Sequence, residues 1–329
     1  MVSTTHTGTA APTATPVAEI IAADTVDRTI STSRSRRWDE NPRWAQALIY
    51  LVLTFAALVT VLPMVNILAR SLSEGAQVNA NPMMLWPKGW TVEAYRYIFD
   101  TRVLMRSFGI TTFVTVFGTF LNMVVTTAAA YGLSKTYIPG HKFLMWMVII
   151  PMLFGAGLIP TYMQIKTLHL LDSIWILVLW GLVSPFNLIL MRNFFWSIPP
   201  ELEDSARMDG ASDIRVLWDI ILPLSKPVLA TVALFYAVGH WNDFFTGLFF
   251  ISDNSKWPLQ VVLRSIIIDR SMLNMGSANT PNNDISQLVV SAENIRAATT
   301  IFAIVPILLV YPFLQRYFVK GILLGSVKG

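Results

Sequence analysis

Two groups of polar residues stand out in a chain that is 54% hydrophobic and 13% charged. The first is Tyr236, His240 and Asp243, inside an apolar run. In a helix these positions fall at i, i+4 and i+7 and share one face, which Gly247 continues. Trp241 and Asn242 add an aromatic surface and an amide. A carboxylate at bilayer depth costs about 2.5–3.5 kcal/mol on insertion scales, so Asp243 should face a bundle interior or water. The chemistry open to such a face is hydrogen bonding across helices, recognition of a polar solute, or a proton relay through Asp243 and His240. Tyr162, Trp180 and Asn187 are further candidates from two earlier apolar runs.

The second group is Glu203 to Pro223, a polar stretch between apolar runs. Ser197 can cap a helix, with Pro199 and Pro200 in its first turn, where a missing N–H costs nothing. Glu201, Glu203 and Asp204 complement the positive end of the helix dipole. Ser205 and Ala206 keep one face narrow. Asp209 leads to Gly210, which ends the helix because it takes positive φ freely. Ser212 then caps a second helix that runs to Leu222 and Pro223. The expected product is a short helix, a sharp turn and another helix, with small residues that let a partner backbone approach.

The surrounding elements follow from composition. A soluble domain carries about 25% charged residues. The deficit across these 329 residues, with a mean hydropathy of +0.54, is that of a polytopic membrane protein. A bilayer core needs about 20 apolar residues in helix. Six such runs occur: Gln46–Ala69, Ser107–Leu133, Lys142–Ile165, Ser173–Phe195, Pro227–Ile251 and Ala297–Val319. The expected fold is therefore an all-α membrane protein. Six transmembrane helices fill residues 46–319, with the polar loop 197–226 between the fourth and fifth. Pro63, Pro151, Pro160, Pro185 and Pro306 are expected to break the spans.

Residues 1–45 read as a disordered tail, rich in Thr, Ala and Pro in its first part, with no apolar stretch of a secretory signal. Arg34, Arg36, Arg37 and Arg43 form a basic cluster before the first run. This cluster sets the N-terminus inside by the positive-inside bias. Six spans then return the chain to the same side, so the tail 320–329 is cytoplasmic too. Fourteen Lys and Arg residues fall on the inner segments and ten on the outer ones. Cysteine is absent, which excludes disulfides and thiolate metal sites. No phosphate-binding loop is present, and His6, His141, His169 and His240 have no metal-ligand spacing. Nothing supports nucleic-acid binding.

Asp204-Ser205-Ala206, three residues, Gly210, nine residues, then Ile220, Leu222 and Pro223 resemble the Glu-Ala-Ala coupling loop of ABC importer permeases. Asp for Glu and Ser for Ala are the departures, and Glu203 is a neighbouring carboxylate. From Arg43 onward the chain resembles the maltose-type sugar permeases, above all those for complex oligosaccharides. The motifs are Leu85-Trp86-Pro87-Lys88-Gly89, Gly157-Leu158-Ile159-Pro160-Thr161, Trp241-Asn242-Asp243, Trp257-Pro258-Leu259-Gln260 and Tyr317-Phe318-Val319-Lys320-Gly321.

The resemblance implies a permease subunit of an ATP-driven importer, working by alternating access. Its partners would be a second permease chain, two ATPase subunits, an extracytoplasmic sugar-binding protein and the lipid bilayer. The chain would hold no cofactor and no metal of its own and would not be an enzyme; ATP and Mg would be bound by the ATPase subunits. Glu203, Asp204, Ser205, Ala206, Asp209, Gly210, Leu222 and Pro223 would dock there. On this reading Trp241 stacks on a pyranose face while Asn242 and Asp243 bond hydroxyls. The loop Ser252–Arg296 would be exterior, reaching the binding protein or lying on the surface. The rival is an ion-coupled secondary transporter that uses Asp243.

Overall fold

The computed structural model describes residues 42–81, 83–268 and 291–325. Among these residues the chain is helical without a strand, and one isolated bridge joins Ser73 and Trp90. Two compact units divide between Leu62 and Pro63. The described part of the first is most of helix α1 (Arg43–Ser71). Its apolar side chains, including Trp44, Tyr50, Leu51 and Phe55, are exposed. The expected tail 1–45 falls almost wholly outside the described residues.

The second unit continues through α2 (Gly75–Ala80), α3 (Glu93–Asp100) and α4 (Arg102–Ser134). A π-helical turn at Val114–Gly118 interrupts α4. Next come α5 (His141–Leu153), α6 (Leu158–Thr167), α7 (Ile174–Leu179) and α8 (Pro185–Trp196). The polar loop forms α9 (Pro200–Met208) and α10 (Asp213–Leu224). The chain closes with α11 (Lys226–Trp241), α12 (Phe245–Phe250), α13 (Leu259–Ile268) and α14 (Ala292–Gly325).

Among the described residues three helices are long and apolar enough to cross a bilayer: α1, α4 and Glu293–Val310 of α14. The pair α10 and α11, bent by 86°, meets the same test jointly. The other apolar runs are interrupted. Between α5 and α6 the chain passes Phe154-Gly155-Ala156-Gly157, and Gly157 takes φ +80°. Between α7 and α8 it passes Gly181, at φ +75°.

Glycines mark these two breaks, and the prolines fall differently from expectation. Pro63 and Pro306 lie inside continuous helices, Pro151 lies near the end of α5, and Pro185 opens α8 at its first turn. Proline is tolerated in a first turn because its absent N–H would have no helical partner there.

Three larger buried clusters, with a small one of Ala69, Val78 and Met84, hold the described part of the second unit. One joins Ala94, Ile98 and Leu104 to Trp241, Leu259, Val262, Leu263 and Ile266, and to Ala298 and Ala303 of α14. A second joins the far end of α4 (Ala130, Tyr131, Leu133) to α8, α10 and α11. The third packs α7 against Val114, Ile165, Phe250 and Ile251. The segment after Ser252 is thus not a plain surface loop: α13 is part of the first cluster. Trp257 Nε1 donates to the Ile251 carbonyl, and the Leu259 N–H donates to Thr111 Oγ1. A Cβ on Gly247 would come within 2.6 Å of Pro258, so glycine there is required for close approach. The polar turn Asn279–Asp284 lies outside the described residues.

Candidate functional site

The polar loop has the helix–turn–helix form its residues dictate, with one change at the start. Ser197 closes α8 rather than opening α9: its N–H donates to the Asn193 carbonyl and its hydroxyl to the Phe194 carbonyl. Pro199 is the N-cap of α9, and Pro200 is its first residue. Gly210 takes φ +83°, and its N–H donates to the Arg207 carbonyl. Ser212 Oγ accepts from the Arg215 N–H and caps α10. A π-helical turn at Leu217–Ile221 leads to Leu222 and Pro223, and the chain bends at buried Ser225 into α11.

The two neighbouring carboxylates of α9 point to different surroundings. Glu203 is buried and paired with Lys135, just beyond the end of α4. Lys135 also lies 4.6 Å from the Tyr131 ring centroid. Asp204 is exposed. Arg207 bonds Asp213 at 2.9 Å and the Tyr137 hydroxyl at 3.3 Å. The Tyr137 hydroxyl, its largest influence, raises the Arg207 pKa; burial opposes that, and Asp213 adds to it. The guanidinium is a fixed charge in this network. Ala206 packs against the second cluster. Leu202, Met208, Ile214 and Trp218 present their apolar side chains outward, Met208 at 90% exposure.

Of the expected pathway residues, Tyr236, His240 and Asp243 do not share one helix face. Helix α11 ends at Trp241, so Asp243 leaves the register of Tyr236 and His240. Its Oδ1 accepts from the Thr246 N–H and anchors the start of α12. The helical periodicity that would align Asp243 stops where Asn242 closes α11, with its N–H bonded to the Val238 carbonyl.

Tyr236 and His240 link helices. The Tyr236 hydroxyl shares a 2.8 Å bond with Thr126 Oγ1 and accepts from the Ser184 N–H at 3.0 Å. His240 Nε2 lies 3.0 Å from Asn122 Oδ1. Trp241 is 7% exposed, sits edge-on to Phe108, and donates its Nε1–H to the Ala303 carbonyl. In this conformation it offers no free ring face. Asn187 is buried in the first turn of α8. Tyr162 and Trp180 meet elsewhere, both against Phe250, and remain partly exposed.

Sequence reasoning missed Asn122. It is fully buried, and its Nδ2 donates at 3.0 Å to both the Gly181 and Leu182 carbonyls. Those carbonyls are left unpaired by the break between α7 and α8, and a buried carbonyl without a partner is costly. Gly118 lies one turn earlier: a Cβ there would come within 2.7 Å of His240 Nε2. Gly118, Asn122 and Thr126, spaced by four, were the available signal, facing Tyr236 and His240, also spaced by four. Asn294 was missed as well; its Nδ2 donates to the Arg70 and Ser73 carbonyls.

A cleft of about 480 Å³ opens beside the break at Asn242. Phe244, Phe245, Gln260, Arg264 and Thr300 are among its walls. Gln260 Nε2 donates to the Trp241 carbonyl, and the Arg264 guanidinium lies 4.7 Å from the Phe244 ring centroid.

Long apolar helices, glycine-broken runs and a polar helix–turn–helix are the features of a membrane-embedded helical protein. Residues 34–324 match the family of binding-protein-dependent transport system inner membrane components, and the chain belongs to that family. It is 47% identical over 272 residues to Protein LplC of Bacillus subtilis, covering 82% of this chain and 90% of that protein. The polygalacturonan/rhamnogalacturonan transport system permease protein YtcP of the same organism is 43% identical over 287 residues, 86% of this chain and 97% of its own. A solved bacterial ABC transporter involved in the import of the acidic polysaccharide alginate contains a similar chain. It has a TM-score of 0.77 and 32% identity, over 87% of this chain and 100% of that one. The family is one of transport components.

Proposed function

We propose that the chain is one permease half of an ATP-driven importer of oligosaccharides. Its six apolar runs form six spans: α1, α4, α5 with α6, α7 with α8, α11 with α12, and α14. Helices α9 and α10 lie on the cytoplasmic face, with both chain termini on the same side. A second permease chain completes the conduit, two ATPase subunits bind ATP and Mg, and an extracytoplasmic binding protein delivers the sugar. The named relatives that carry sugar oligomers support this cargo.

The observation that carries the reading is the form of the polar loop. Its outward side sets exposed apolar side chains (Leu202, Met208, Ile214, Trp218) among charged ones such as Asp204 and Asp209, while its inward side is fixed by Glu203 on Lys135. Exposed apolar patches of this kind mark protein interfaces. A helix pinned inward and exposed outward transmits displacement of a docked ATPase to α4 and, through α10, to α11. Glu203 thus serves the inner contact; Asp204, Ser205, Asp209 and Gly210 serve the outer one. In the pathway, Asn242 stands on the cleft wall, whereas Tyr236, His240 and Trp241 hold the bundle.

The ion-coupled alternative loses its main support, because Asp243 is engaged as a helix anchor. Substituting Gly210 tests the docking role. No atom lies within 4 Å of a Cβ placed there, so the fold itself has room. Asparagine tolerates positive φ, and valine does not. Recovery of the ATPase subunits should fall with Gly210→Asn while the permease pair stays folded, and fall further with Gly210→Val, which also strains the turn. Unaltered recovery and transport with both would refute docking through this turn.

A further inference from the structure

We infer that the cleft beside Asn242 is a recognition site for a carboxylate-bearing sugar unit, with Arg264 as the group that binds the carboxylate. This rests on the oligosaccharide-importer reading and adds to it a substrate charge and a residue. The first observation is the state of Arg264. Its guanidinium forms no ion pair with any described residue. Of the described acids before it, Asp253 pairs with Lys256 at 3.5 Å and Asp243 has Oδ1 committed to the Thr246 N–H. Arg264 instead lies over the Phe244 ring at 4.7 Å, which orients the guanidinium and leaves its N–H groups available.

The second observation is the rest of the wall. Phe244 and Phe245 stand edge-on to one another, with centroids 5.3 Å apart. Asn242, Gln260 and Thr300 add neutral polar groups; Asn242 Nδ2 and Thr300 Oγ1 donate to the Val238 and Arg296 carbonyls, which leaves their oxygens to accept. The Gln260 amide donates to the Trp241 carbonyl, which leaves its oxygen free to accept from a hydroxyl. Aromatic surface, amides and hydroxyl suit a pyranose; the planar fork of arginine suits a carboxylate, which it can bind through two parallel hydrogen bonds. A volume of about 480 Å³ lies within the ordinary range for small-ligand sites, about 300–1,000 Å³.

The third is position. Under the proposed topology, α13 belongs to the outer segment between the fifth and sixth spans, so Arg264 stands at the side from which cargo arrives. Arg264 is exposed, so its charge is open to a counter-ion from that side. An acidic sugar supplies that counter-charge as it enters.

The test uses the assembled importer, with its partner permease, ATPase subunits and binding protein, in proteoliposomes. The probes are trigalacturonate and its fully methyl-esterified form, which keeps the shape and removes the charge. Uptake of the acid relative to the ester is measured for the wild type, Arg264→Gln, Arg264→Lys and Phe244→Leu. The acid should be preferred in the wild type. Arg264→Gln should lower the acid-to-ester ratio about tenfold or more, and Arg264→Lys should lower it less, since a point charge is kept and the fork is lost. Phe244→Leu should lower it in the same direction by freeing the guanidinium.

An unchanged ratio in Arg264→Gln would overturn the assignment. So would loss of the partner permease from that variant, which would make Arg264 an interface residue. Wild-type uptake of the ester with no preference for the acid would overturn the inference and leave the sugar-importer reading standing. Uptake of neither would also overturn the inference; only failure to import any oligosaccharide, neutral ones included, with ATPase activity intact, would overturn the sugar reading itself.

Discussion

Removing Lys135 should cost the fold about 3 kcal/mol, although the intact pair contributes little on balance. The side chains of Lys135 and Glu203 are 13% and 10% exposed. Burying two charges costs several kcal/mol per ion, and their attraction roughly offsets this. Deleting one partner leaves the other buried and uncompensated, at about 3–5 kcal/mol. Arg207 Nη2, 3.9 Å from Glu203, supplies a residual counter-charge and places the loss at the lower end.

Lys135→Met should therefore cost about 3 kcal/mol, which is roughly a hundredfold in the folded-to-unfolded ratio. The double variant Lys135→Met with Glu203→Gln should cost only about 1 kcal/mol, because neither charge is left unpaired. The assay is a double-mutant cycle on reversible SDS-titrated unfolding of the purified chain. In parallel, the ATP hydrolysed per sugar imported is measured in the assembled importer, where the single variant should waste ATP. A coupling energy below about 0.5 kcal/mol, or additive losses in the double variant, would refute the pinning of α9 to α4.

Asn122→Leu should cost about 2–4 kcal/mol in the same unfolding assay, since it strands the Gly181 and Leu182 carbonyls. A loss under 1 kcal/mol would show that those carbonyls find other partners. Gly118→Ala should cost about 1–3 kcal/mol, because its methyl must displace His240; restoration of stability by a second change, His240→Ala, checks the cause. Asp243→Asn should keep uptake near wild type, whereas Asp243→Ala should lose about 1 kcal/mol of stability with the anchor of α12. Uptake that collapses in Asp243→Asn and responds to a protonophore would restore the ion-coupled reading.

The polar loop was legible because caps, proline and glycine act locally. Gly210 and Ser212 take the conformations their types require, whatever surrounds them. The error at Ser197 has the same origin: it can close one helix or open the next, and packing of Phe195 in the second cluster decides. Hydrophobic run length identified the membrane class but not continuity. A run such as 142–165 keeps its apolar character through Phe154–Gly157 while the backbone leaves the helix there, and composition does not register the break. Asp243 was misplaced for that reason, since its presumed face assumed an unbroken α11. Asn122 gave no signal alone, because its role is set by carbonyls about sixty residues further along the chain.

The two π-helical turns, at Val114–Gly118 and Leu217–Ile221, have a consequence for how this lineage can change length. Such a turn holds one residue more than an ordinary helix needs, and the surplus is absorbed locally. Losing a residue elsewhere in α4 would rotate everything beyond it by about 100° and turn Asn122 and Thr126 from their partners. Losing one within 114–118 would tighten the coil and leave both flanks oriented as before. Single-codon deletions should therefore be survivable at these two places and ruinous a turn away.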